Sequence, residues 1–216
     1  MKYIIMCGGR YDAWNYPKQL ASINGEVLVE RTIRLLRECG ATGIAISSND
    51  DRFKAFGVPV LRHDNGYTAH GYNDYDGYWC DAFYPTEEPC CYIYGDVFFS
   101  PQAIRTIVGY ETDDIMLFGS KPPFSVHYPK PYVEPFAFKV QNQKHLHEAI
   151  AEVKRLDSIG AFKRKPISWE LWNVICGADP NKYNKRYIAI NDYTSDVDTP
   201  EEAEKLDKHY RTILER

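Results

Sequence analysis

The chain has 216 residues, of which 44% are hydrophobic, 26% charged and 14% aromatic. That composition excludes a disordered chain, a collagen-like repeat and a bundle of membrane-spanning helices. A net charge of -4, a sequence pI near 5.9 and the absence of any basic run also argue against broad binding to nucleic acid or an anionic membrane. At roughly 150 residues per domain, the length predicts one generous domain over residues 1–216.

The opening run Tyr3–Cys7 follows a single Lys2 and stops at Gly8-Gly9, too short for a secretory core or a spanning helix. The six cysteines show neither a CxxC pair nor Cys/His ligand spacing, so they read as reduced thiols of a cytoplasmic protein. The vicinal pair Cys90-Cys91 reads as the two faces of one strand. Charge is unevenly spread: residues 41–120 carry a net -8, with +2 on either side. Aromatics cluster between His63 and Tyr84, where seven interleave with acidic and amide residues.

Taken in order, Lys2–Cys7 reads as a strand buried on both faces, followed by a loop to about Gly25. Val27–Cys39 has its apolar positions at helical spacing and a stop at Gly40. Gly43–Ser48 is a second strand, so the first fifty residues spell strand, loop, helix, strand, the unit of a parallel pair. The alternation continues with a short strand near Val58–Leu61, a helix near Tyr78–Phe83, a strand at Cys91–Tyr94, and a helix at Pro101–Val108 capped by Ser100. Strands are expected at Ile115–Phe118 and, after a proline-rich connection, at Phe136–Val140. Leu146, Ala149, Ile150 and Val153 then form the stripe of another helix. Tyr187–Ile190 is a late strand. The last helix opens with the capping box Thr199-Pro200-Glu201-Glu202 and buries Ala203, Leu206, Tyr210 and Ile213. Regular alternation predicts an α/β fold.

Three places suit chemistry. The first is Cys7-Gly8-Gly9-Arg10 at the carboxyl end of the first strand, with Pro17-Lys18 just beyond. Glycines there let backbone N–H groups approach phosphate oxygens, and Lys18 supplies a point charge. A plain glycine turn with a surface lysine accounts for the same residues, and the spacing is neither GxGxxG nor Walker. The second is Gly95-Asp96 at the end of the apolar strand Tyr92–Tyr94, where a carboxylate suits Mg²⁺ or merely closes a turn. The third is Asp196-Val197-Asp198, whose alternate carboxylates share one face of an extended segment or complement the following helix dipole. The six histidines offer no zinc spacing, and there is no GxSxG elbow. Trp169–Trp172, beside Lys163-Arg164-Lys165, reads as a helix packed on the core in preference to a lid.

The order of these segments resembles the nucleotidyltransferases that make nucleotide-activated sugars and alcohols. These include sugar-phosphate, phosphocholine and methylerythritol-phosphate nucleotidyltransferases and the guanylyltransferase that matures molybdenum cofactor. The resemblance spans nearly the whole chain and is strongest over residues 3–48, then 92–104 and 187–206. It implies a Rossmann-like, mostly parallel sheet and a Mg²⁺-dependent transfer that releases pyrophosphate. It also implies a triphosphate wrapped by Cys7, Gly8, Gly9 and Arg10 and contacted by Lys18. Catalytic roles fall to Lys18, Arg10 and Asp96, and metal binding to Asp96 and Asp198, with Asp196 less favoured. Tyr72, Asn73, Asp74 and Glu134 are the implied acceptor contacts, although Tyr72–Asp74 also suit a loop packed on its own domain. The family's loop usually carries a further glycine and an arginine where this chain has Tyr11 and Ala13.

The expected partners are therefore a nucleoside triphosphate, CTP mildly favoured, and a phosphorylated sugar or small alcohol, as in the making of cell-surface polysaccharide precursors. A homo-oligomer is compatible with the sequence. Two other readings stay open at this level: a metal-dependent glycosyltransferase using a ready-made nucleotide sugar, and a non-catalytic nucleotide- or sugar-phosphate-binding protein with an altered loop.

Overall fold

A computed structural model describes residues 1–8, 13–63, 77–121 and 133–214, residues 213 and 214 by their backbone alone. The opening run forms β1 (Lys2–Met6), its centre buried on both faces. The expected loop to Gly25 contains more order than the sequence suggested. A 3₁₀ turn spans Lys18–Leu20, and β2 (Ser22–Ile23) and β3 (Glu26–Val27) form a hairpin. Both hairpin turn residues have positive φ, Asn24 at 51° and Gly25 at 77°, the conformation that Asn-Gly adopts most readily. Helix α1 (Leu28–Glu38) follows, burying Leu28, Val29, Thr32, Ile33, Leu35 and Leu36.

β4 (Ile44–Ser47) and β5 (Val60–Leu61) come next, β5 shorter than expected because Pro59 has no N–H to give a ladder. The helix expected at Tyr78–Phe83 is a single 3₁₀ turn, Trp79–Ala82. Pro85 disfavours a helical Tyr84, and Phe83 turns extended to pack against Tyr92 and Phe138. β6 (Cys90–Tyr94) leads through Gly95-Asp96 into β7 (Val97–Phe98) and α2 (Pro101–Gly109). The Ser100 hydroxyl caps α2 by accepting from the Ala103 N–H at 2.9 Å, worth about 1 kcal/mol. β8 (Ile115–Ser120), β9 (Pro135–Val140), α3 (Gln143–Ser158), α4 (Ser168–Ile175), β10 (Ile188–Ile190), β11 (Ser195–Asp196) and α5 (Pro200–Leu214) complete the strands and α-helices of the described residues.

The main sheet has the order β10-β8-β9-β6-β1-β4-β5. β9 runs antiparallel to both of its neighbours, and the other six strands share one direction, giving the mostly parallel α/β sheet that the alternation predicts. Helices α1 and α2 cover one face, over Ile5, Ile46, Cys91 and Ile93. Helices α3 and α4 cover the other, over Ile4, Cys90, Tyr92 and Phe138. Cys90 and Cys91 therefore point to opposite layers of one strand, and Leu171 and Trp172 of α4 are packed into the core. A third cluster, of Ala21, Ile23, Leu28, Phe98, Val197, Leu206 and Tyr210, binds the hairpin, β7 and α5 together. No described helix is long and apolar enough to cross a membrane.

Candidate active site

Parallel strands bring their carboxyl ends to one edge, and the chemistry-bearing residues gather there. At the end of β1 the Cys7 N–H donates to the Ser47 carbonyl (2.9 Å), and the Ser48 hydroxyl donates to the Cys7 carbonyl (3.0 Å). The start of the first loop is thereby fixed to the end of β4. One strand over, the Gly95 N–H donates to the Met6 carbonyl at 3.1 Å, setting Asp96 beside that loop. Burial, then the negative Asp96, pushes the Cys7 thiol well above its ordinary pKa, so it is a packed thiol and no nucleophile.

Asp198 reaches the same place by a different route. β7 pairs antiparallel with β11, and the Val197 N–H donates to the Asp96 carbonyl at 2.9 Å. This small ladder sets the two carboxylates side by side although they are far apart in the chain. The buried Asp196 pairs with Val97 inside the ladder, while Asp198 lies just past its end.

Lys18 closes the arrangement. Pro17 precedes its 3₁₀ turn, whose Leu20 N–H donates to the Pro17 carbonyl at 2.9 Å. Its Nζ lies 2.6 Å from Oδ2 of Asp96 and 2.7 Å from Oδ1 of Asp198. The side chains of Lys18, Asp96 and Asp198 are 11%, 20% and 30% exposed, so the cluster is recessed but open to a ligand. Burial by itself would lower the lysine pKa. The charges and hydrogen bonds of Asp96 and Asp198 outweigh it and hold the ammonium well above its ordinary value.

The two carboxylates converge on a point now held by a cation, and their oxygens are the hard donors that Mg²⁺ takes, usually one or two carboxylates completed by phosphates and water. The residues present therefore fit a divalent ion. No cluster of three or more His, Cys, Asp or Glu ligands occurs among the described residues.

Of the residues singled out from sequence, Lys18, Asp96 and Asp198 come together, and Cys7 and Gly8 lie at the end of β1. Gly9, Arg10, Tyr11, Tyr72, Asn73 and Asp74 lie outside the described residues. Glu134 sits just before β9. Because β9 is reversed, its start lies at the carboxyl edge of the sheet, where the Glu134 N–H donates to the Ser120 hydroxyl at 2.9 Å. Two residues not expected at the site also touch it: Trp14, whose Nε1 donates to the Asp198 carbonyl, and Glu202, whose carboxylate accepts from the Asp198 N–H. The capping box flagged Glu202 as structural, and nothing in the sequence marked Trp14.

The fold is shared with solved structures of low sequence identity. The inositol-1-phosphate CTP transferase from T. maritima is 17% identical, with a TM-score of 0.57 over 96% of this chain and 94% of that one. A protein from Bacillus anthracis assigned as a glucose-1-phosphate thymidylyltransferase is 14% identical, with a TM-score of 0.55 over 98% and 95%. HddC from Yersinia pseudotuberculosis, complexed with GMP-PN, is 13% identical, with a TM-score of 0.53 over 97% and 100%. No curated protein sequence matches the chain. The family model described as the MobA-like NTP transferase domain matches residues 3–159, a span that runs from β1 through α3 and includes Lys18 and Asp96. The chain belongs to the MobA-like NTP transferase family and is a nucleotidyltransferase.

Proposed function

We propose that the chain, acting as one domain over residues 1–216, transfers a nucleotidyl group from a nucleoside triphosphate to the phosphate of a sugar or small alcohol and releases pyrophosphate. The observation that carries this reading is the convergence of Lys18, Asp96 and Asp198 at the carboxyl edge of the sheet, beside the loop that leaves β1. A phosphate oxygen of the acceptor attacks the α-phosphorus as the bond to the bridging oxygen of the β-phosphate breaks, and pyrophosphate departs. The acceptor phosphate is already ionised at neutral pH, so the protein needs no general base. Its task is to bring two anions together and hold them in line.

Asp96 and Asp198 would hold Mg²⁺, which when bound supplies charge neutralisation at the reacting phosphates. Lys18 would then turn its ammonium to the triphosphate, and the loop that begins at Gly8 would supply backbone N–H groups, the Cys7 N–H being already given to Ser47. Glu134, just before β9 at the same edge, is the proposed contact for acceptor hydroxyls. A cytidine donor is favoured by the resemblance to the phosphocholine enzymes, and a structural neighbour is named for CTP and inositol 1-phosphate. Cell-surface precursor chemistry and a reducing cytoplasm, which suits six free thiols, complete the reading.

The test is a pyrophosphate-release assay with Mg²⁺, each nucleoside triphosphate and a panel of phosphorylated sugars and alcohols. Release that needs both substrates and is lost in Asp96→Asn supports the reading. Release of nucleoside diphosphate from a nucleotide sugar would instead mark a glycosyltransferase. Ligand-dependent stabilisation without turnover would mark a binding protein.

A further inference from the structure

We infer that Trp14 is a positioning residue for Asp198, tying the end of the first loop to the metal-side carboxylate; this rests on the metal reading proposed above. The Asp198 backbone is held on both sides of its Cα. Its N–H donates to Oε2 of Glu202 at 2.7 Å, and its carbonyl accepts from Nε1 of Trp14 at 2.7 Å. Because each peptide unit is planar, fixing the two flanking units fixes φ and ψ and leaves only the side-chain torsions to aim the carboxylate. With the backbone fixed, the Asp198 carboxylate stays on the point it shares with Asp96 when the Lys18 ammonium turns to a phosphate.

Glu202 serves α5 regardless of any ligand. Its Oε2 also accepts from the Thr199 N–H at 3.3 Å, and its own N–H donates to the Thr199 hydroxyl at 3.2 Å, a capping box. Trp14 is no part of that cap. It stands four residues before Lys18 and just after the loop, packs on the cluster around Phe98, Val197 and Leu206, and meets the Tyr16 ring edge-on at 5.4 Å. The indole thus ties residue 14 to a backbone 184 residues away. Partners that hold metal ligands from behind commonly govern affinity by about 10–100-fold.

Trp14→Phe keeps a ring in the cluster and removes only the donor. The measurement is Mn²⁺ binding by electron paramagnetic resonance with a cytidine triphosphate analogue carrying a methylene between the α- and β-phosphorus, against a blank of nucleotide alone. Trp14→Phe should bind about tenfold more weakly than wild type, with its melting temperature preserved, and Asp198→Asn more weakly still. Wild-type affinity in Trp14→Phe, with loss in Asp198→Asn, overturns this inference alone. Wild-type affinity in Asp198→Asn, or no protein-bound Mn²⁺ in wild type, overturns the metal reading and this inference with it. An affinity loss in Trp14→Phe that follows a lowered melting temperature and disappears on cooling marks a purely structural tryptophan and also overturns it.

Discussion

A Cβ built on Gly95 would stand 2.6 Å from Sγ of Cys7, which makes the end of β6 and the end of β1 a single packed unit. The same Cβ would meet the Met6 carbonyl oxygen at 2.7 Å and Cγ of Gln19 at 3.0 Å. Glycine is required because three segments meet there: the strand before the loop, the turn that carries Lys18, and the turn that carries Asp96. Gly95→Ala should cost about 2 kcal/mol in urea denaturation and reduce turnover by displacing Asp96. Adding Cys7→Ala should restore only part of the stability, because the Met6 carbonyl remains in the way. Full recovery in the double variant would refute the account.

Lys18 separates two carboxylates that would otherwise face each other. Lys18→Met should lower turnover about 10²–10³-fold and lower the melting temperature in metal-free buffer, since like charges are then left together in a recessed site. Millimolar Mg²⁺ should restore the melting temperature of Lys18→Met more than it raises that of wild type, and differential scanning fluorimetry with and without chelator reads this directly. Equal Mg²⁺ shifts in the two proteins would contradict a shared metal position.

Glu26 supports the third cluster from its rim. It accepts from Arg31 at 2.9 Å and from Arg34 at 2.7 Å, and the buried Arg31 guanidinium lies 4.2 Å from the centre of the Phe98 ring. Partial burial would raise the Glu26 pKa, but the hydrogen bonds and charges of Arg34 and Arg31 outweigh it and hold the carboxyl below its ordinary 4.5. A depressed acid stabilises the fold above its unfolded pKa and loses that contribution as pH falls through the folded value. Glu26→Gln should cost about 2 kcal/mol at pH 7, because Arg31 is left with less compensation. In urea denaturation the gap to wild type should narrow steadily below about pH 4.

The thiols should sort by burial. Burial pushes Cys80 up to about 12 and Cys90 up to about 11, and Cys7 and Cys91 are also buried and raised, whereas Cys39 and Cys176, though raised by burial too, are only half-buried. Alkylation of the native protein at pH 8, followed by peptide mass spectrometry, should label Cys39 and Cys176 first. The other four should react only on unfolding. A Cys90–Cys91 disulfide should not form, since the two side chains sit in opposite layers.

Much of this was legible in order of sequence because its causes are local. Continuous apolar runs marked β1, β4 and β6, 3.6-residue periodicity marked α1 and α3, and Ser100-Pro101 and Thr199–Glu202 marked where α2 and α5 begin. The failures were places where non-local contacts dominate. The segment Tyr78–Phe83 has helical spacing, yet Pro85 and the packing of Phe83 on Tyr92 leave room for one turn. The strip from Lys18 to Gly25 looks like a loop, yet the third cluster folds it, together with Glu26 and Val27, into a turn and a hairpin.

The candidate site divides along the same line. Sequence by itself determined which groups are present: a glycine pair after an apolar strand, a lysine behind a proline, and two carboxylates near the ends of distant segments. Each of these also suits an ordinary turn or cap, because residue type and spacing carry no information about what lies opposite. Only the tertiary structure decided that Lys18, Asp96 and Asp198 meet within 2.7 Å and that Trp14 holds Asp198 from behind. The physical reason is the pairing of β7 with β11: a two-residue ladder too short to be read from sequence brings residue 198 beside residue 96, and the packing of Phe98 and Val197 in the third cluster holds it there.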